Sequence, residues 1–143
     1  MKIPESLCEL VATGPFGHLT TINADGSPQV TVVWVGIEDD TFVIGHVFNH
    51  HKLKNIRRDN RVVLSMLGSN TINGLREHAV IQGRATVEEG GGPALLEHLA
   101  KTTYLDLDGP MLPEEMRKLP GFVTRIVPEK IGGIGPWNPE SEG

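Results

Sequence analysis

Cysteine is nearly missing from this sequence. Cys8 is the only one in 143 residues, so no disulfide can close within the chain and a reducing cytoplasm is the expected compartment. Flanked by Leu7 and Leu10, Cys8 reads as a small core residue of a helix. Aromatic residues are scarce at 5%, with one tyrosine, Tyr104, so a phenolic proton donor would have to be that one. No apolar run approaches the roughly 20 residues of a membrane span. The opening "MKIPESLCELVATG" is broken by Glu5 and Glu9, unlike the apolar stretch of a secretory signal. Positive charge is in deficit too, with a formal net charge of −5 and a pI near 5.6. That argues against general nucleic-acid binding, which needs a broadly positive face to displace counterions from phosphates.

What remains is an ordinary globular composition, 38% apolar and 22% charged. It suits one domain over residues 1–137 followed by a polar, Pro/Gly-containing tail, 138–143, expected to be disordered. "PESLCELVAT" has helical spacing, with Pro4 suited to a first turn. "FGHLTTINADGSPQVTVVWVGI" reads as two strands around a tight Asp25-Gly26 turn. "TFVIGHVF", "RVVLSML" and "EHAVIQGRATVEE" are further strands. "FVTRIVPEKIGGIG" is a last one, interrupted by Pro128 and Gly132-Gly133. Helical pieces are expected at "PALLEHLAKTTY" and "PEEMRKL". Six consecutive strands with short turns pair antiparallel, and closure into a barrel would remove their exposed edges. The expected fold is therefore mainly β with short helices, a six-stranded antiparallel split barrel.

Against the acidic whole, "NHHKLKNIRRDNR" (residues 49–61) gathers Lys52, Lys54, Arg57, Arg58 and Arg61, five of the thirteen Lys and Arg. Leu53 and Ile56 lie three apart, so a short helix would bury those two, with Asn49 as its N-cap. Free N–H groups at its start, the helix dipole and a nearby ammonium would together form an anion site. On charge patterning alone, the same cations also describe a solvated helix face. His46, His50 and His51 lack an Asp, Glu or Cys at matching spacing, and no metal site is expected.

The succession "FGHLTTINADGSPQVTVVWV", "HHKLKNIRRDNRVVLSM" and "AVIQGRATV" resembles the pyridoxamine 5′-phosphate oxidase-like split-barrel superfamily, and most closely its deazaflavin (coenzyme F420)-dependent branch. The resemblance runs from about residue 15 to 88, with an echo in "RIVPEKIGGIGPW". It implies a homodimer with the cofactor in grooves at the interface. By the same resemblance Lys52 holds the cofactor phosphate, with Lys54, Arg57 and Arg58 along phosphate or tail, and His50 and His51 beside them. His50 replaces a basic or small polar residue, which implies a weaker, pH-sensitive contact. The strand carrying Gln29, Val30, Thr31, Val32, Val33 and Trp34 would lie along the ring system.

In such a protein the cofactor carries the reaction, and the chain orients the ring, excludes water and supplies a proton. Tyr104 and His78 are the candidate proton donors. Trp137 is a candidate cap for the site, and "LDLDGPML" (105–112) is a candidate mobile loop. The expectation is an F420-dependent oxidoreductase passing a hydride between the deazaflavin and an unsaturated or quinone-like substrate. An enzyme using flavin mononucleotide (FMN) and a non-catalytic cofactor carrier are the alternatives.

Overall fold

The structure is a computed structural model that describes residues 1–139. It opens with helix α1 (Glu5–Ala12), which starts after Pro4 and buries Leu7, Leu10 and Val11 on one face. Strands β1 (Gly17–Ile22) and β2 (Pro28–Val33) follow, joined by a turn in which Gly26 takes φ 88°. The Asp25 carboxylate accepts from both the backbone N–H and the hydroxyl of Ser27 (2.9 and 2.5 Å). Next come β3 (Gly36–Glu38), β4 (Thr41–His46), α2 (His51–Arg58), β5 (Arg61–Ile72) and β6 (Leu75–Glu89). Helix α3 (Gly92–Leu99) runs into a π-helical turn over Ala100–Tyr104, and then α4 (Glu114–Arg117) leads to β7 (Phe122–Ile134).

All strand pairs are antiparallel, in the order β2-β1-β5-β6-β7-β4-β3. The architecture is mainly β with short helices, as the strand pattern implied. The strand count is corrected from six to seven, and the ladder stays open between its edges β2 and β3. The chain leaves β2 at Trp34 because the Val35 N–H is taken by the Tyr104 hydroxyl (2.8 Å) instead of a neighbouring strand. Residues 36–38 then pair with β4 as a strand of their own. The interruption expected in the last strand does not occur. Gln82 pairs with Lys130 and Gly83 with Pro128, so Glu129 is the extra residue of a bulge that carries the proline through the ladder.

Alternation decides which side chains are inside. Leu19, Leu64, Met66, Ile81, Phe42, Ile44 and Ile126 meet on the inner face with Leu7 and Leu10 of α1 and Ile56 of α2. On the outer face, register places His18 beside Val32 and Ser65, and Thr20 beside Val30 and Val63. Val30, Val32 and Leu67 on that side are 58%, 59% and 52% exposed, a face that is apolar for a solvated sheet.

Among the described residues no helix is long and apolar enough to cross a membrane. The Asn138 side chain donates to the Gly133 carbonyl (2.8 Å). Of the tail expected to be disordered, residues 140–143 lie outside the described residues.

Candidate functional site

Helix α2 forms where the basic stretch was expected and buries Leu53, Ile56 and also Asn55. Its N-cap is His50, not Asn49, and no side chain caps the leading N–H groups. Asn49 is drawn away, because its side-chain oxygen accepts from Arg57 (2.8 Å). The fully buried Asn55 amide lies within hydrogen-bond reach of Thr21, Asn23 and Gln29 (3.1, 2.9 and 3.2 Å). Its own oxygen accepts from Arg58. One side chain thus pins the helix to both strands of the first hairpin. Sequence reasoning passed over Asn55, although its place on the buried face between Leu53 and Ile56 was the available signal.

The five cations separate in space. Arg57 lies over the Phe122 ring, 5.4 Å from its centroid. Arg58 donates to the Ile22 carbonyl (2.8 Å). Arg61 pairs with Asp59 (2.7 Å), and its hydrogen bonds hold the Asp59 pKa down to about 2. Lys54 is exposed. Lys52 is half-buried, and its ammonium donates to the Thr31 hydroxyl (3.2 Å), a neutral partner. Burial pulls the Lys52 pKa below its ordinary value.

Lys52 opens onto a cleft of about 370 Å³ between the end of β2, the end of β4, the start of α2 and helix α3. Phe16, Trp34, Phe48, Leu96 and Met111 give it apolar walls, and Lys52, His46 and His50 are its titratable groups. Helix α3 can press this close because β4 and α3 meet at glycines: a Cβ on Gly45 would fall 2.8 Å from the Gly92 carbonyl oxygen. Met111 is set by Glu97, whose carboxylate accepts from the Met111 and Leu112 N–H groups (2.9 and 2.6 Å). Those bonds lower the Glu97 pKa. His46 is 4% exposed and its Nε2 shares a hydrogen bond with Thr124 Oγ1 (2.9 Å). Burial, then the charges of Lys52 and His50, hold its pKa down to about 3. Partial desolvation and then Lys52 also lower the His50 pKa.

Of the residues singled out in the sequence, Lys52, His50, Val32, Val33 and Trp34 line this cleft. Gln29 and Thr31 face α2 and serve as acceptors for Asn55 and Lys52. Val30 points out with Val32, while His51 turns to Asn23 (3.0 Å). Tyr104 stands behind the wall, stacked on Trp34 with ring centroids 4.9 Å apart. Its hydroxyl donates to the Pro15 carbonyl (2.7 Å) and accepts from the Val35 N–H. His78 accompanies Leu67 on the outer face and contacts the Arg76 carbonyl (2.9 Å). Trp137 is buried in the core, its indole N–H donating to the Gly132 carbonyl (3.0 Å). His46, Phe16, Phe48 and Leu96 were missed as lining residues, and of the loop at 105–112 only Met111 reaches the cleft.

Comparison with solved structures gives the same fold at low identity. An F420 reductase superposes with a TM-score of 0.72 at 20% identity, covering 91% of this chain and 98% of the other. A conserved hypothetical protein from Mycobacterium tuberculosis has a TM-score of 0.67 at 22% identity, covering 92% and 83%. The heme storage protein HutZ from Vibrio cholerae has a TM-score of 0.62 at 16% identity, covering 93% and 95%. No curated protein matches the sequence. The pyridoxamine 5′-phosphate oxidase profile matches residues 3–133, nearly the whole sheet with α2 and the cleft, and the chain belongs to that family.

Proposed function

We propose that this protein is a homodimeric oxidoreductase that holds coenzyme F420 in the Lys52 cleft and passes a hydride between it and a small unsaturated or quinone-like substrate. The observation that carries the reading is Lys52: a half-buried ammonium whose only partner among the described residues is a hydroxyl, set at the start of α2 beside an apolar wall. A cation desolvated without a counter-charge favours an incoming anion, and a phosphate at a helix N-terminus meets N–H donors and the positive dipole end as well. A ring system joined to that phosphate would lie along Val32, Val33 and Trp34. The cleft volume falls in the range of small-molecule sites, about 300–1,000 Å³.

The reduced deazaflavin supplies the hydride when bound. The chain's own residues have narrower tasks. Lys52 neutralises the phosphate, Trp34 and Phe16 exclude water from the ring, and Glu97 keeps Met111 against the cleft. Lys54, Arg57 and Arg58 stay exposed on α2, where they attract an acidic tail. The apolar outer face around Val30, Val32, Val63 and Leu67 supports dimerisation through the sheet, which would bring a second chain beside the cleft rim at Val32.

FMN is the second reading, and one observation favours it. Arg57, Arg58 and Arg61 have partners within the chain, so the cleft itself offers one cation, enough for one phosphate. Titration of the purified protein with F420 and with FMN, followed by turnover of menadione with the reduced form of whichever binds, tests the proposal. Preference for FMN moves the protein to flavin chemistry, and binding without turnover makes it a carrier.

A further inference from the structure

The buried histidine at the end of β4 has one hydrogen-bond partner among the described residues, the Thr124 hydroxyl at its Nε2. Thr124 is fully buried (0% exposed), and among the described residues its hydroxyl meets no partner other than His46 Nε2. A buried hydroxyl needs an acceptor for its hydrogen, so Thr124 donates and Nε2 accepts. The hydrogen of the neutral imidazole is then on Nδ1. No buried side-chain nitrogen or oxygen among the described residues lacks a partner, yet no hydrogen bond engages Nδ1. That atom therefore touches open space, and the open space beside His46 is the Lys52 cleft.

We propose that His46 is a ligand-binding residue, its Nδ1–H a fixed hydrogen-bond donor for an uncharged carbonyl oxygen on the planar ring that occupies the cleft. This rests on the reading of the cleft as a cofactor site and adds the second polar contact to it. The division of labour follows from charge. Lys52 takes the anionic group. His46, kept neutral by burial and by the Lys52 ammonium beside it, suits an oxygen that carries no formal charge. A neutral donor held in place from behind needs no reorganisation when that oxygen gains negative charge, which is when such a bond counts most. Two rings carry a carbonyl of this kind, the cofactor's and a quinone acceptor's, and titration with each distinguishes them.

The test uses the whole protein labelled with ¹⁵N-histidine. Long-range ¹H–¹⁵N spectra report the tautomer of each of the six histidines, and His46→Phe identifies the signals of interest. The expected result is a single neutral tautomer with hydrogen on Nδ1, whose proton resonance moves when F420, FMN or menadione saturates the protein. Movement with F420 or FMN assigns the carbonyl to the cofactor, and movement only with menadione assigns it to the substrate. His46→Phe should weaken the responsive ligand about tenfold, the loss of one hydrogen bond. Hydrogen on Nε2 overturns the inference in the free protein. So does an Nδ1 proton that stays still with all three ligands while fluorescence shows F420 or FMN bound. Absence of any binding overturns it together with the proposed function, and fluorescence tells that case apart.

Discussion

Replacing Lys52 by methionine removes one charge from the cleft and keeps most of the side-chain volume, so it isolates the role assigned to the ammonium. The bond lost with bound phosphate is charge-assisted, worth roughly 1.5–3 kcal/mol, and a central loss of about 2 kcal/mol is about thirtyfold in Kd. The fold should not suffer. Among the described residues Lys52 has one hydrogen bond, to Thr31, and its lowered pKa means that burial disfavours its charge. Because its folded pKa lies below the unfolded value, the charged side chain costs stability at neutral pH, and removing it should leave the melting temperature unchanged or higher. The assay is fluorescence titration of F420 and FMN with wild type, Lys52→Met and Lys54→Met at low and high salt. The exposed Lys54 should matter less than about fivefold, since a solvated charge contributes about 0–1 kcal/mol. A folded Lys52→Met that binds as well as wild type would refute the phosphate role.

Three further outcomes are expected. Asn55→Ala should destabilise the protein by about 2–3 kcal/mol in urea unfolding, because it strips a buried hub from α2, β1 and β2. Tyr104→Phe should cost about 1–3 kcal/mol by leaving the Val35 N–H without its acceptor, while ligand affinity, which Tyr104 does not contact in this account, changes little. His46 has a folded pKa of about 3 against an ordinary 6.5, so between those values the unfolded chain binds the extra proton. Stability should therefore fall as pH drops from 6.5 towards 3, by up to about 1.4 kcal/mol per unit, and this slope should flatten in His46→Phe when unfolding is followed across that range.

Much of the antiparallel sheet was legible because its strands alternate. In "GHLTTI" and "RVVLSM" every second residue is buried, and a period of two needs no distant information. The basic helix was legible from Leu53 and Ile56. What escaped the sequence depends on partners far along the chain. The break at Trp34 comes from Tyr104, 69 residues from Val35. His46 gains its buried setting from Thr124, 78 residues away, and Met111 reaches the cleft because Glu97 holds its backbone. The local cluster of five cations likewise said nothing about which one enters the cleft. Phe122, Ile22 and Asp59 engage three of them, and of those partners only Asp59 lies within the basic stretch.

The central claim is that the Lys52 cleft holds a phosphate-bearing deazaflavin. Its most direct test is titration of the unmodified protein with F420 at low and high salt, with FMN in parallel. Saturable binding of one F420 per chain, weakened by salt and tighter than FMN, is the expected result. Failure to bind either would contradict the claim and leave the basic helix as a solvated face of the protein.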